Sequence, residues 1–193
     1  MSTWHRVAKL LFEAAMLKRL ERTGYAYLGT GRETIAAHSF GASLCAWVLA
    51  SLVPKADVNR VIKMALLHDL LEARTGDLNS VNKLYDTADE EKAAQDAFAG
   101  LPMGEEWLAL WQEYREGKTL EAQLVHDADQ LDLLVMLKEQ RDLGNPYAPR
   151  WIKYAKRRLK TEMAKRLADA IGETDWASWW LDQFVARSED EVS

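Results

Sequence analysis

The segment ALLHDLLEARTGDL, residues 65–78, places an ionisable pair inside an apolar helical pattern. It belongs to a helix predicted over residues 57–72, in which Asp57 suits the N-cap position and apolar residues recur on one stripe. His68 and Asp69 interrupt that stripe, with leucines on both sides. Because burying such groups without partners costs several kcal/mol, the sequence predicts that something compensates them.

Two further apolar segments contain the same kind of intrusion. Residues 36–53, AAHSFGASLCAWVLASLV, are almost uncharged apart from His38 and are long enough for a buried helix. Residues 120–141, LEAQLVHDADQLDLLVMLKEQR, form another helical pattern with three acidic residues in its middle, namely Asp127, Asp129 and Asp132. Because a wholly apolar turn follows them, we predict that this helix directs carboxylates inward.

A divalent metal ion is one arrangement that compensates these groups. Imidazole and carboxylate ligands together suit zinc, manganese, cobalt or iron, and the three predicted helices offer two histidines and two aspartates. His68 and Asp69 both reach an ion that lies between their directions, about 100° apart around the helix, and Glu72 lies one turn beyond His68. For any single histidine the alternative is a structural hydrogen bond, but three helices that each bury a suitable ligand favour a metal.

The rest of the chain predicts one all-α domain. Its 193 residues include only 10 Gly and 4 Pro, and so few helix breakers favour long helices over many short strands. We predict a single helical bundle of about 6–8 helices over residues 1–187 and a frayed acidic tail at 188–193. The remaining helical patterns cover residues 4–21, 86–97, 104–116, 150–171 and 174–186.

Charge and composition exclude several classes of protein. With 25 Lys+Arg against 30 Asp+Glu the net charge is −5, whereas nucleic-acid binders usually present a basic face. No uninterrupted apolar run approaches the roughly 20 residues of a membrane span, and the N-terminal residues lack the apolar core of a signal peptide. The single cysteine, Cys45, excludes an internal disulfide. We therefore expect a cytoplasmic protein without a membrane or nucleic-acid partner.

The order His38, His68-Asp69, Asp129 resembles the H…HD…D order of the HD superfamily of metal-dependent phosphohydrolases. The flanking residues resemble one branch of that superfamily, the 5′-deoxynucleotidases, because residues 65–78 are similar to the AxxHDxxExxxGD segment of that branch. Three other segments carry the likeness: LKRLERTGY (17–25) is similar to LKxxxRTGW, RETIAAHS (32–39) to RxESVxxHS, and VHDADQLDLL (125–134) to VKxxDxxDxxL. The resemblance spans roughly residues 9–141.

A second HD dipeptide, His126-Asp127, requires a choice between the two. It lacks the Glu and the Gly-Asp that follow His68-Asp69, so we assign the family's pair to the latter. His126 then stands where relatives often carry Lys, three residues before Asp129. Contact with metal or phosphate, and an ordinary partly exposed position, both remain open for it.

The resemblance implies an HD-type helical bundle that holds one divalent cation. The cation is Mn, Co, Zn, Fe or Mg, and its ligands are His38, His68, Asp69 and Asp129. The resemblance also implies an enzyme, a 5′-nucleotidase that hydrolyses (deoxy)nucleoside 5′-monophosphates to nucleoside and phosphate. Two alternatives use the same site: a phosphodiesterase or triphosphohydrolase for another nucleotide, and a protein that binds metal or nucleotide without turnover.

Two carboxylates outside that ligand set are the catalytic residues that the resemblance implies. Glu72 projects from the same helix face as His68, and we expect it to protonate the departing 5′-oxygen, its alternative role being to orient a histidine. Asp77 is expected to act around the water and the leaving group, or to hold a second cation with Glu72 and the Leu78 carbonyl. A purely structural metal site would need neither carboxylate, which disfavours the alternative without turnover.

A phosphate dianion also needs positive charge. The resemblance assigns this role to Arg22 in the RTGY motif, because a guanidinium group suits bidentate contact with phosphate. Tyr25 stands where relatives carry Trp, and this difference leaves the sugar and base preference open. The expected substrate contacts are Arg22, Tyr25, Asp69, Asp77, Ser80 and Asp129.

The last helical pattern has one aromatic face, which consists of Trp176, Trp179, Trp180 and Phe184. At helical spacing, such a face is expected to form core or a dimer interface rather than a cofactor site. Because relatives in this family are dimers, we expect a homodimer.

Overall fold

The computed structural model describes residues 2–191, and the side chains of residues 2–185. Within that range the regular secondary structure is helical apart from one isolated bridge between Glu21 and Thr34, so the predicted all-α class is confirmed. The helices in chain order are α1 (Thr3–Met16), α2 (Tyr25–Leu28), α3 (Ile35–Leu52), α4 (Val58–Leu67), α5 (Glu72–Thr75), a 3₁₀ turn (Asn82–Leu84), α6 (Glu90–Phe98), α7 (Gly104–Glu116), α8 (Leu120–Asp142), α9 (Ala148–Arg158), α10 (Glu162–Glu173) and α11 (Ser178–Glu191).

Helix α8 is the axis of the bundle. Helices α3, α4, α7, α9 and α10 all pack against it, and its core residues Leu124, Leu131 and Leu134 are almost completely buried. Asp127 and Asp132 are also buried, as predicted for a helix that directs carboxylates inward. The central helix therefore directs acidic groups into the interior of the bundle.

The helices outnumber the roughly 6–8 expected from the pattern, for two local reasons. Helices α2 and α5 are single turns, too short for a periodic pattern to reveal. The basic helix predicted over residues 150–171 is divided into α9 and α10. At the division, the Asp127 carboxylate accepts hydrogen bonds from the backbone N–H groups of Lys160 (2.6 Å) and Thr161 (2.8 Å), and Thr161 caps α10.

Helix α3 differs from the buried helix predicted over residues 36–53. One face is buried and carries His38, whereas the opposite face is open to solvent, with Phe40 73% and Trp47 55% exposed. By length and composition, α3 is also the one helix of the described chain that could cross a membrane, contrary to the expectation that no segment would qualify. Its buried face packs against α4 and α8, as in the core helix of a folded domain.

The end of the chain is helical as far as it is described. Residues 188–191 continue the backbone of α11, whereas residues 192–193 of the predicted acidic tail lie outside the described range. Fraying of that tail therefore stays a prediction.

Candidate metal centre

The helix predicted over residues 57–72 ends early, and the turn that follows it positions His68 and Asp69. Helix α4 stops one residue before His68, and the chain continues with tighter i→i−3 hydrogen bonds, such as that from the N–H of Glu72 to the Asp69 carbonyl (3.1 Å). The His68 ring bonds the Ala65 carbonyl through Nδ1 at 2.6 Å, and a continuing helix would use that carbonyl for the N–H of Asp69. As a result, His68 Nε2 and Asp69 Oδ2 lie 3.3 Å apart although the residues are adjacent.

Four side chains from three parts of the bundle converge at this point. His38 from α3 places its Nε2 atom 3.4 Å from His68 Nε2 and 3.4 Å from Asp69 Oδ2. Asp129 from α8 places its Oδ1 atom 3.1 Å from the same His38 nitrogen. Both imidazole side chains are 1% exposed, whereas the two carboxylates keep about a fifth of their surface accessible. The structure thus brings His38, His68 and Asp69 together as mutually close donors, and it places Asp129, the fourth predicted metal ligand, next to His38.

Hydrogen bonds behind each ring determine which nitrogen faces this cluster. His68 Nδ1 donates to the Ala65 carbonyl, and His38 Nδ1 donates to Asp132 Oδ2 at 2.7 Å. Because a carbonyl and a carboxylate only accept, each Nδ1 carries a hydrogen and each Nε2 is turned toward the cluster. Metal-binding histidines are usually held in this way.

The donor set fits a divalent cation. Ligand atoms bonded to one ion at about 2.0–2.2 Å lie roughly 3–3.6 Å from each other. The donor atoms of His38, His68 and Asp69 are 3.3–3.4 Å apart, and Asp129 lies 3.1 Å from His38 Nε2 but outside the group of mutually close ligand atoms. Two carboxylates next to two ring nitrogens form an electron-rich cluster that attracts a cation in a region of low polarity. The residues could therefore hold a divalent metal.

The charges of this cluster also shift the pKa values of its own members. Burial disfavours a charged His38 ring, but hydrogen bonds to Asp129 and Asp132 outweigh burial and raise the pKa of His38 to about 10. Burial also disfavours the Asp129 carboxylate, yet the hydrogen bond and the charge of His38 hold its pKa far below the ordinary value. Both shifts identify a site that stabilises positive charge next to negative charge.

Asp132 supports His38 by accepting the hydrogen bond from its Nδ1 atom. The sequence alone did not predict this role. Helix α3 has room for its carboxylate because residue 41 is glycine, and a Cβ atom on Gly41 would overlap that carboxylate. One signal in the sequence points to Asp132, since it follows the ligand Asp129 by three residues and so lies on the same side of α8. Gly41 and Asp132 together hold the His38 ring in the ligating orientation.

We expect the Gly41→Ala variant to bind divalent metal about 10–100-fold more weakly than the wild type, the usual effect of losing a group that supports a ligating histidine. The added methyl group displaces the Asp132 carboxylate from His38 Nδ1. Titration of chelator-treated protein with Mn²⁺ measures the affinity, and circular dichroism checks the fold. Gly172→Ala is the matched control, because a Cβ atom added at this glycine of α10 meets only the flexible Lys156 ammonium group, at 3.5 Å. Equal affinities of Gly41→Ala and the wild type would contradict the role of Asp132.

A cavity of about 240 Å³ adjoins His68 and Asp69, and Glu72 lines it. Burial, together with the negative charges of Asp69 and Asp77, raises the pKa of Glu72 to about 9. Without a cation on the neighbouring ligands, the Glu72 carboxyl group therefore keeps its proton at neutral pH. Other residues that line this cavity include Leu78, Lys83, Tyr114, Arg115 and His126.

The Arg22 guanidinium group lies near the same cluster, in the segment between α1 and α2. Its Nη1 atom is buried and has no hydrogen-bond partner in the described part of the chain. Burial disfavours its charge, but the carboxylates of Asp129, Asp69, Asp77 and Glu33 outweigh burial and raise the pKa of Arg22. A charged donor with an unused N–H beside the candidate metal ligands is suited to an anion.

The other expected substrate contacts, Tyr25, Asp77 and Ser80, lie outside the four-residue cluster. The Asp77 carboxylate accepts hydrogen bonds from the backbone N–H (2.6 Å) and the hydroxyl (3.1 Å) of Thr23, so it anchors the RTGY segment. Tyr25 donates from its hydroxyl to Glu33 (3.0 Å) and lines a second cavity, of about 440 Å³, that also reaches Arg22. Ser80 is exposed, and neither Asp77 nor Ser80 lines the cavity beside His68.

The second HD dipeptide lies outside the metal cluster. His126 donates from Nε2 to the Tyr114 carbonyl (2.9 Å) and stacks on the Tyr114 ring, with 4.4 Å between the ring centroids. Burial and the nearby charge of Lys160 lower the pKa of His126. The Asp127 carboxylate accepts hydrogen bonds from the backbone N–H groups just before α10. Both side chains therefore have structural contacts of their own.

The chain is similar in sequence to known proteins over much of its length. A family model described as HD domain matches residues 14–171 of the chain. The mouse 5′-deoxynucleotidase HDDC2 is 30% identical over 135 residues, which cover 67% of each chain. Its counterpart in Dictyostelium discoideum is 32% identical over 138 residues, 64% of this chain and 71% of that protein. The human counterpart is 29% identical over 133 residues, and the chain spans 64% of its length.

Several solved structures share the fold. The PH0347 protein from Pyrococcus horikoshii superposes with a TM-score of 0.71 at 31% identity, covering 86% of this chain and 98% of the other. A structure described as a predicted metal-dependent phosphohydrolase from Magnetospirillum magnetotacticum gives a TM-score of 0.69 at 25% identity, over 90% of this chain and 95% of the other.

Proposed function

The chain belongs to the HD domain family, and on that premise we propose that it is a divalent-metal-dependent phosphohydrolase that releases phosphate from (deoxy)nucleoside 5′-monophosphates. The observation that carries this proposal is the convergence of four donor groups beside the unpaired Arg22 N–H. These donors belong to His38, His68, Asp69 and Asp129. Relatives named 5′-deoxynucleotidase support the substrate class. A cation bound by the four ligands would polarise the phosphoryl group and activate water at neutral pH.

Arg22 binds the phosphoryl group in this proposal. Its buried Nη1 group has no other partner, and a guanidinium group donates two parallel hydrogen bonds to a phosphate. Asp77 holds Thr23, the next residue, and thereby positions the segment that carries Arg22. A second cation held by Asp77, Glu72 and the Leu78 carbonyl is the alternative role for Asp77.

Glu72 is the general acid in this proposal. Water attacks phosphorus, the bond between phosphorus and the 5′-oxygen breaks, and that oxygen takes the proton of the Glu72 carboxyl group. The products are the nucleoside and inorganic phosphate, and Glu72 regains a proton from the solvent. Its raised pKa supports this role, because the group is protonated before the bond breaks.

The nucleoside contacts Tyr25 and Ser80 in this proposal. Tyr25 lines the cavity of about 440 Å³ that also includes Arg22, and a nucleoside attached to a phosphate on Arg22 reaches that cavity. A phenol ring offers a flat surface for stacking a base. Phosphate release from individual nucleotides would show the base and sugar preference.

The test is phosphate release from ribo- and deoxynucleoside 5′-monophosphates, with Mn²⁺, Co²⁺ and Zn²⁺ supplied separately. We expect release with at least one metal and none after chelation. A cyclic phosphodiester and a nucleoside triphosphate belong to the same panel. Hydrolysis of these alone would favour the phosphodiesterase or triphosphohydrolase alternative, and no hydrolysis of any substrate would favour a protein that binds without turnover.

We also propose that the protein is a cytoplasmic homodimer. The aromatic residues of α11 support an interface rather than core, because Trp179 is 74% and Phe184 61% exposed in one chain. The exposed face of α3, which includes Phe40 and Trp47, is a second apolar surface. Light scattering gives the molar mass in solution and thereby tests whether the protein is a homodimer.

A further inference from the structure

Tyr114 of α7 is held between two histidines at the cavity beside the candidate metal ligands. Its ring meets the His68 ring edge-on, with 5.9 Å between centroids, and stacks on the His126 ring at 4.4 Å. His126 also donates a hydrogen bond to the backbone carbonyl of Tyr114. One residue therefore contacts both the ring and the backbone of Tyr114, which fixes the direction of the phenol.

The Tyr114 hydroxyl group has no hydrogen-bond partner among the described residues, although the side chain is partly buried and lines the cavity. A tyrosine in such a position usually has one. Burial, together with the negative charges of Asp129 and Asp69, raises the pKa of Tyr114 well above its ordinary value. The phenol is therefore a neutral donor beside the candidate metal ligands.

We propose that the Tyr114 hydroxyl donates a hydrogen bond to the phosphoryl group of the bound substrate. This inference rests on the proposed phosphohydrolase function. A phosphate dianion accepts hydrogen bonds through three terminal oxygens, and Arg22 reaches it only from the segment between α1 and α2. On the α7 side, Arg115 is paired with Glu91 (3.0 Å), so its charge is already engaged. Tyr114 supplies a donor on that side without adding a charge.

The test compares the wild type with Tyr114→Phe, which removes only the hydroxyl oxygen and keeps both ring contacts. Calorimetry measures the binding of inorganic phosphate to the Mn²⁺-loaded proteins, and elemental analysis measures their metal content. We expect Tyr114→Phe to bind phosphate about tenfold or more weakly, since a hydrogen bond to a charged group is lost, with unchanged metal content. Tyr154→Phe is the matched control, because Tyr154 is an exposed tyrosine of α9, and its phosphate affinity should equal that of the wild type.

The outcomes separate this inference from the proposed function. Unchanged phosphate affinity in Tyr114→Phe would overturn the inference, and so would a loss of metal, which would mean that the hydroxyl supports a ligand instead. Phosphate binding by the wild type without turnover of any nucleotide would contradict the proposed function alone. Turnover of nucleotides by the wild type, with equal phosphate affinity in the two proteins, would contradict the role of Tyr114 alone.

Discussion

The Asp69→Ala variant is expected to lose both its bound metal and its phosphohydrolase activity. Asp69 contributes the carboxylate that lies within 3.4 Å of both His38 Nε2 and His68 Nε2, so its removal opens one side of the donor set. Loss of a residue that merely supports a ligand weakens metal binding 10–100-fold, so we expect loss of a ligand to weaken it by at least about 100-fold. Metal content of the purified protein and phosphate release from the nucleotide panel measure the two effects.

The fold of this variant should survive. Asp69 lies in the turn between α4 and α5, and its side chain caps neither helix. Circular dichroism should therefore show a nearly unchanged helix content. Asp96→Ala is the control, because Asp96 is an exposed residue of α6 paired only with Lys92, and it should keep metal and activity. An Asp69→Ala protein with full metal content and full activity would refute the assignment of this centre.

The members of the donor set could be found in the sequence because they violate its hydrophobic pattern. His38, the pair His68-Asp69 and Asp129 each interrupt an apolar helix, and burial of such groups demands a partner. The pattern also gives the helix class, since helical periodicity depends only on nearby residues. Both the all-α class and the gathering of these side chains therefore follow from local rules together with a resemblance in motif order.

Features that depend on packing between distant segments could not be read in this way. Asp127 divides a predicted helix at Thr161, 34 positions further along the chain. Gly41 accommodates Asp132 across the contact between α3 and α8, which the sequence does not display. The free face of α3 is another case, because an uncharged helix looks the same in sequence whether one face or both are buried. Tyr114 belongs to an ordinary amphipathic pattern, and only the fold places it beside His68.

The Glu72→Gln variant is expected to keep its metal and to lose most of its turnover of nucleotides. The amide has nearly the same size as the carboxyl group, but it cannot deliver a proton to the departing 5′-oxygen. General acid catalysis contributes about 10²–10⁴-fold to a rate, and we expect a loss of that order in kcat. With p-nitrophenyl phosphate the loss should be much smaller, because p-nitrophenolate leaves without a proton. Glu116→Gln, an exposed carboxylate paired only with Lys118, is the control.

The pH dependence of the wild-type activity should report the titration of Glu72. Burial and the charges of Asp69 and Asp77 raise the pKa of Glu72 to about 9, so the carboxyl group is protonated below that pH and loses its proton above it. Activity therefore falls as the pH rises through this pKa, and a divalent cation near Asp69 moves the fall to lower pH because it stabilises the carboxylate. In Glu72→Gln this alkaline fall should be absent. Equal losses with both substrates would contradict the role of Glu72 as an acid, and a loss of metal would show that Glu72 is itself a ligand.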